Sequence, residues 1–224
     1  MVQSYSVTLS GIRPLLMHAD NMLWKTRVER WQQDSANKGK SIPGDDRTPS
    51  WQWIGSLYQD EHVVAIPQDA IMASLMGAGT EVNEPKPSKK TFKARTQSGM
   101  VSPDQFWPIA VYGQPILMTS ILPLLKEDDF EKHIDAIQSL GFALDIRRAR
   151  VGMSKHVRVR PVFANCSAVG VMNVTDEKLT EKVLREIFDI AGDRKGMLEW
   201  RPSAPKPGPF GRFRVALEKV TLAA

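Results

Sequence analysis

Two basic stretches stand out as residues that could do chemistry. The first, RRARVGMSKHVRVRP, runs from Arg147 to Pro161 and contains no acidic residue. The second, KPGPFGRFRV, begins at Lys206 and places its basic residues around glycines. Clustered like charges cost free energy unless an anion lies across them, and phosphate suits arginine through forked hydrogen bonds and counterion release. The pattern therefore predicts a surface that binds a polyanion.

Three segments are expected to supply this surface: the first stretch, the loop and strand around the second, and a Lys/Pro-rich insertion over residues 80–99 that could close over a polynucleotide as a mobile finger. The simpler interpretations stay open: a solvated basic face, a face paired with the acidic segment KEDDFEKHID, a Pro-rich connector into an edge strand, and a solvated disordered insertion. The predicted nucleic-acid-binding residues are Arg147, Arg148, Arg150, Lys155, Arg158, Arg160, Arg201, Lys206, Phe210, Arg212, Arg214, Lys89, Lys90, Lys93 and Arg95.

The residues offer few catalytic constellations. The four histidines have no metal-ligand spacing, and the sequence contains no phosphate-binding loop, zinc-protease or Ser-His-Asp signature. The catalytic candidates are His18 and Asp20 in MHADNM, where acid-base chemistry on a phosphodiester is conceivable; the simpler interpretation is that Asp20 starts a helix. The prediction is a protein without a catalytic role, metal or cofactor, and a metal-dependent ribonuclease using Asp20 is kept as an alternative.

Composition bounds the class of protein. The chain has 224 residues, 30 Lys and Arg against 25 Asp and Glu, and a formal net charge of +5, which fits a protein that meets an anion over part of its surface. Cys166 is the single cysteine, so a disulfide framework and a Cys-based zinc site are excluded, and a reducing cytoplasm is expected. The sequence predicts no signal peptide and no membrane span.

The order of predicted elements indicates the fold that must position these residues. Strands are expected over residues 4–12, about 100–112, 157–174 with a bend near Asn165, and 211–221, and helices over 68–78 and 177–191. This β-α-β-β-α-β order predicts an α+β fold with a ferredoxin-like or RRM-like core, in which two helices cover one face of an antiparallel sheet and the other face is free for ligands. Arg158 and Arg160 would share one face of their strand, and Arg147, Arg148, Arg150 and Lys155 would lie in the loop before it.

One domain over residues 1–224 is expected, since no composition shift resembles a linker between two domains. Three large insertions interrupt the core. They are a helical segment at about 13–62, the basic, mobile and thumb-like segment at 80–99, and an acidic helix followed by a basic loop at 120–150.

Four segments carry a resemblance to a known family: SGIRPLLMHADNM, VAIPQDAIMASLMGAG, RRARVGMSKHVRVRPVF and GPFGRFRV. They resemble a family of phage and prophage proteins that is in turn similar to the RAMP superfamily, which includes the crRNA-binding backbone subunits of CRISPR effector complexes. IPQDAIMASLM resembles the motif at the first helix, without its basic residue, and PGPFGRF resembles a degenerate glycine-rich loop with few glycines.

The resemblance implies an RRM-like core with a thumb-like insertion that binds single-stranded nucleic acid and often assembles along it. In some members an Asp in the loop after the first strand cleaves target RNA, and Asp20 matches that residue in position alone. The function predicted is single-stranded nucleic-acid binding, with multimerisation along the strand and an origin in a phage or mobile element. RNA and DNA both stay open as partners, and the alternative is an assembly subunit whose basic face meets an acidic protein.

Overall fold

The computed structural model describes residues 2–38, 40, 48–151 and 154–220, without the side chains of 149–151 and 154–156. The strands are β1 (Gln3–Gly11), β2 (Leu15–Leu16), β3 (Ala65–Pro67), β4 (Met100–Val101), β5 (Phe106–Val111), β6 (Gln114–Pro115), β7 (Ala143–Val151), β8 (Ser154–Phe163), β9 (Cys166–Val174) and β10 (Phe213–Val220). The α-helices are α1 (Met22–Gln33), α2 (Gln68–Gly79), α3 (Lys93–Gly99), α4 (Met118–Ile121), α5 (Phe130–Ser139) and α6 (Glu181–Ile190), and a 3₁₀ segment covers Ser50–Ser56.

The main sheet has the order β10-β1-β9-β5-β3, with antiparallel pairing between all these neighbours. Of the four strands predicted for the core, β1 is the first, β5 the second, β9 the third and β10 the fourth. In the sheet they therefore lie in the order fourth, first, third, second. This is the ferredoxin-like, or RRM-like, arrangement, so the predicted fold class is confirmed.

Alternation along β1 explains why this sheet forms one wall of the core. Tyr5, Val7 and Leu9 are buried, whereas Ser6 and Ser10 face the other side. On the next strand, a Cβ at Gly170 would lie 2.2 Å from Trp107 Cε2, so the glycine lets this fully buried indole pack across β9. The core therefore lies between this face of the sheet and the helices.

The two core helices follow from their apolar faces. In α2, Ile71, Leu75 and Ala78 are buried at helical spacing. The helix predicted from residue 177 begins later, at Glu181, with Thr180 as its N-cap residue. Asp176 accepts a hydrogen bond from the Lys178 N–H in the turn before this helix.

A second, three-stranded sheet has the order β2-β8-β7. The strand predicted over 157–174 is therefore two strands in different sheets, and Asn165 between them adopts a left-handed φ of 51°, which asparagine tolerates. The loop predicted at 147–155 is also wrong, because Arg147, Arg148 and Arg150 belong to β7 and Lys155 to β8.

The segment at 80–99 has buried anchors as well as exposed lysines. Val82, Phe92 and Thr96 are buried, and the last of these lies in α3, which packs against α2. This half of the segment is therefore part of the core rather than a free finger.

No helix within the described ranges has the length and apolar character needed to cross a bilayer.

Candidate nucleic-acid interface

The hairpin of β7 and β8 forms a projecting two-stranded ribbon. In its register Arg147 lies opposite Arg158, and Asp145 lies opposite Arg160. Among the described residues, β2 pairs with β8 only at the base of the ribbon. Because directly opposed residues share a face, one face of the ribbon carries three arginines and one carboxylate.

The ribbon forms one wall of a groove of about 730 Å³, which we call the basic groove, and residues 199–206 form the other wall. The lining contains six cationic side chains and one carboxylate. The lining residues are Arg147, Arg148, Arg158, Arg160, Glu199, Trp200, Arg201, Ala204, Pro205 and Lys206.

Arg160 lies at the buried end of this set, with its side chain 8% exposed. Its Nη2 donates to Asp145 Oδ2 at 2.7 Å, and its Nη1 is 3.6 Å from Glu199 Oε1. Its Nε is buried and has no hydrogen-bond partner. Because a buried charge needs its partner, we assign Arg160 a structural role at the base of the groove, with its Nε–H donor unpaired.

Arg147 is held over an aromatic pair. Its Nε donates to Asp145 Oδ1 at 2.6 Å, and its guanidinium carbon lies 4.6 Å from the Trp200 ring centroid and 5.8 Å from that of Phe210. These distances suit cation–π attraction. Asp145 therefore orients two arginines at once, while the Arg147 side chain stays 47% exposed.

Trp200 is positioned by a loop with unusual backbone geometry. Leu198 and Trp200 have left-handed φ values of 59° and 49°. The Trp200 Nε1 donates to the Pro207 carbonyl at 3.2 Å, and a Cβ at Gly208 would lie 2.1 Å from the indole Cδ1. The loop is therefore built to hold this indole at the groove, at the cost of local strain.

Phe210 and Gly211 have structural roles in the loop and do not face the groove directly. Phe210 is 8% exposed, and its ring lies 5.6 Å from that of Trp200, so it supports this indole instead of offering its own face to a base. A Cβ at Gly211 would lie 2.1 Å from the Met197 carbonyl oxygen, and its φ is 74°. The close approach that the sequence suggested for a ligand is an approach to the protein's own backbone.

The remaining cations of the groove are less constrained. Arg201 donates to the Leu198 carbonyl at 2.8 Å. Within the described part of the chain, Arg148, Arg158 and Lys206 make no ion pair. Three of the six cationic groups are thus available to an anion.

Arg212 and Arg214 do not line this groove. Arg214 is exposed on the edge strand β10, opposite Ser10, and Arg212 precedes that strand. β8 and β10 belong to different sheets, so they are not neighbouring strands. The side chains of Arg150 and Lys155 lie outside the described set.

In the 80–99 segment, Lys89, Lys90 and Lys93 are exposed. Arg95 instead donates to Glu84 Oε1 and to Asp176 Oδ2, both at 2.7 Å. Its two carboxylate partners make it a structural tie between α3 and the turn before α6.

The open face of the main sheet carries small side chains on its central strands. On β1 these are Ser6, Thr8 and Ser10, and on β9 Val169 and Val171. Base-stacking aromatics, which RNA-recognition modules place on such strands, are not found on these two strands. The groove beside the ribbon is therefore the better candidate interface.

His18 and Asp20 lie close to the groove, on the chain that follows β2. Burial lowers the pKa of the His18 imidazole. The positive charges of Arg158 and Arg160 lower it further, whereas the Glu199 carboxylate raises it. Asp20 forms an ion pair with Lys25, which lowers the pKa of that carboxyl. In the described residues, no group of three or more His, Cys, Asp or Glu could hold a metal ion.

Asp145 and Glu199 are the site residues that sequence reasoning missed. The signal for Asp145 lies in the register, because Asp145 and Arg147 are two residues apart on β7 and therefore share a face. Recognition of the hairpin would have placed Arg160 opposite Asp145 and Arg158 opposite Arg147, on the same face.

Comparisons with known proteins identify no family. No family model matches the chain, and no curated protein matches it. A solved chain that matches is from the cryo-EM structure of Type III-B Cmr-beta bound to cognate target RNA, with a TM-score of 0.43 and 10% sequence identity, covering 99% of this chain. The match spans 62% of that chain's length. Neither the TM-score nor the identity is high enough to transfer the role of a residue.

Proposed function

We infer that the protein binds single-stranded nucleic acid in the basic groove. One observation supports this most: six cationic side chains line a single groove, whereas the described carboxylates beside them are Glu199 in the lining and Asp145 behind it. Arg147 and Arg158 lie directly opposite each other, and Asp145 pairs with Arg147 but with no Arg158 atom among the described contacts, so the pair favours a further anion. Phosphates along a strand supply such anions repeatedly.

The shape of the groove favours a single strand over a duplex. A β-ribbon that reads duplex DNA enters the major groove as a convex element. Here the arginines of the ribbon line a concavity that the Trp200 loop closes on its other side. An indole beside cations is the combination that single-strand binders use for stacking and charge neutralisation. Multimerisation along the strand and an origin in a phage or mobile element stay predictions.

Fluorescence anisotropy of a labelled oligouridylate and oligothymidylate across a salt series tests the proposal. Each phosphate contact contributes about −0.7 to the slope of log affinity against log salt. Arg158→Gln should weaken binding of both and flatten the slope by about 0.7.

Arg214→Gln is the matched control, since it removes one arginine from an exposed strand outside the groove. An equal loss in both variants would contradict the location. If no oligonucleotide binds while an acidic polypeptide does, the protein is an adaptor for an acidic partner and the proposal fails.

A further inference from the structure

The open face of the main sheet is uncharged and exposed at its centre. The register places Ala216 of β10 beside Thr8 of β1, and Thr8 beside Val169 of β9, so these side chains form one row across the strands. Val169 is 52% exposed, and Ala216 is exposed as well. A row of small side chains lets a second sheet approach closely, at the roughly 10 Å that separates packed sheets.

Two charged residues lie on the open face within the described strands, and they flank this row. Arg214 precedes Ala216 by two residues and Glu218 follows it by two, so all three side chains point to the same side of β10. Their neighbours on β1 are Ser10 and Ser6. Both charged side chains are exposed, and neither forms an ion pair within the described part of the chain. The two charges of these strands therefore cancel in sum, but each lacks a partner.

This spacing makes the open face complementary to itself. A twofold axis along the row of Ala216, Thr8 and Val169 would reverse the strands of a second copy and set its open face against the first. Because Arg214 and Glu218 lie two residues from the axis on opposite sides, Arg214 of each copy would meet Glu218 of the other. The row itself would pack against its own counterpart, without a charge at the centre.

A second copy fits this face better than a nucleic acid does. A phosphate backbone needs an excess of positive charge, whereas Glu218 offsets Arg214 here, and β1 and β9 place no aromatic side chain on this face for stacking. Four strands about 4.8 Å apart and about 27 Å long cover roughly 500 Å² per copy, or about 1,000 Å² for two copies. This total is near the lower limit for a specific interface, so we expect a weak dimer.

We propose that the open face is a self-association surface, on which two copies pack face to face about a twofold axis and form two ion pairs between Arg214 and Glu218. This interface goes beyond the proposed function and does not depend on it, because the residues that line the basic groove lie outside the open face. Since both copies use the same patch, the assembly closes at two copies and differs from multimerisation along a strand.

Charge reversal followed by charge exchange provides the sharpest test, with sedimentation velocity of nucleic-acid-free protein over a wide range of concentration. The wild-type protein should sediment as a dimer at the highest concentrations. Arg214→Glu and Glu218→Arg should each weaken dimerisation by about tenfold or more, because each sets like charges against each other twice. The double variant with both changes restores opposite charges and should dimerise like the wild-type protein. Lys219→Glu is the matched control for Arg214→Glu, since it makes the same change of charge on an exposed residue of β10 that lies beside Tyr5, on the other face.

The result that overturns the proposal is a wild-type protein that stays monomeric at every concentration or forms assemblies larger than a dimer. A dimer that neither single reversal weakens, that the exchange does not restore, or that Lys219→Glu weakens equally, overturns it as well. If a single variant does not fold, as judged by circular dichroism, Val169→Lys decides. This change on an exposed side chain sets two like charges together at the axis and should abolish the dimer, whereas an unchanged dimer would refute the assignment.

Discussion

Replacing Asp145 by asparagine separates two effects of one carboxylate. Asp145 is 10% exposed and accepts from Arg160 at 2.7 Å and from Arg147 at 2.6 Å. Asp145→Asn keeps the shape of the side chain and removes its charge. The buried Arg160 loses its compensating charge, so we expect the free energy of unfolding to fall by about 3 kcal/mol. The half-exposed Arg147 contributes little to this loss.

The same change should improve binding. Without the charge of the carboxylate, the half-exposed Arg147 guanidinium is free to meet phosphate, and one added charge-assisted hydrogen bond of about 1.5 kcal/mol corresponds to roughly tenfold in affinity. The salt slope should steepen by about 0.7 for each added contact. Urea unfolding followed by circular dichroism measures the first effect, and oligonucleotide anisotropy at several salt concentrations measures the second.

Asp176→Asn is the control for this experiment. Asp176 accepts from Arg95 at 2.7 Å away from the groove, so this variant should lose stability without any gain in affinity. A folded Asp145→Asn protein that binds more weakly, with a flatter salt slope, would refute the view that Asp145 competes with phosphate.

Residues outside the groove have consequences for stability and reactivity that can be measured separately. Gly211→Ala should cost about 2 kcal/mol or more in urea unfolding, because φ is 74° and the Met197 carbonyl blocks a Cβ; unchanged stability would contradict the loop geometry. His133→Leu should cost about 1–3 kcal/mol, since the buried Trp53 Nε1 donates to His133 Nδ1 at 3.0 Å and would lose its acceptor, while oligonucleotide affinity stays unchanged. Burial raises the pKa of Cys166 to about 11, so the thiol is protonated at neutral pH and should alkylate much more slowly in the native protein than in urea; equal rates would show that it is accessible.

The core of the fold could be predicted from the sequence because its elements have one solvent face and one buried face. β1 alternates cleanly and α2 repeats its apolar residues at helical spacing, so both were recognised. β7 fails this test. Leu144 and Ile146 occupy the face that Arg148 continues, because this face packs against the core at Leu144 and is exposed from Ile146 onward.

The candidate site was predicted as a set of charges but not as a geometry. The described arginines of β7 and β8 do come together, through a register between two strands that the periodicity did not reveal, and Arg201 and Lys206 line the same groove. The neutralising role of Asp145 and the burial of Phe210 depend on tertiary packing, which a local sequence pattern does not reveal.

Photo-crosslinking locates the bound strand most directly. A thiouridine-containing oligonucleotide is crosslinked to the protein, and the modified peptides are identified by mass spectrometry. The account predicts crosslinks to Trp200 and its flanking loop and to the ribbon around Arg158. Crosslinks confined to the open face of β1 and β9, with the ribbon and the loop unmodified, would contradict it.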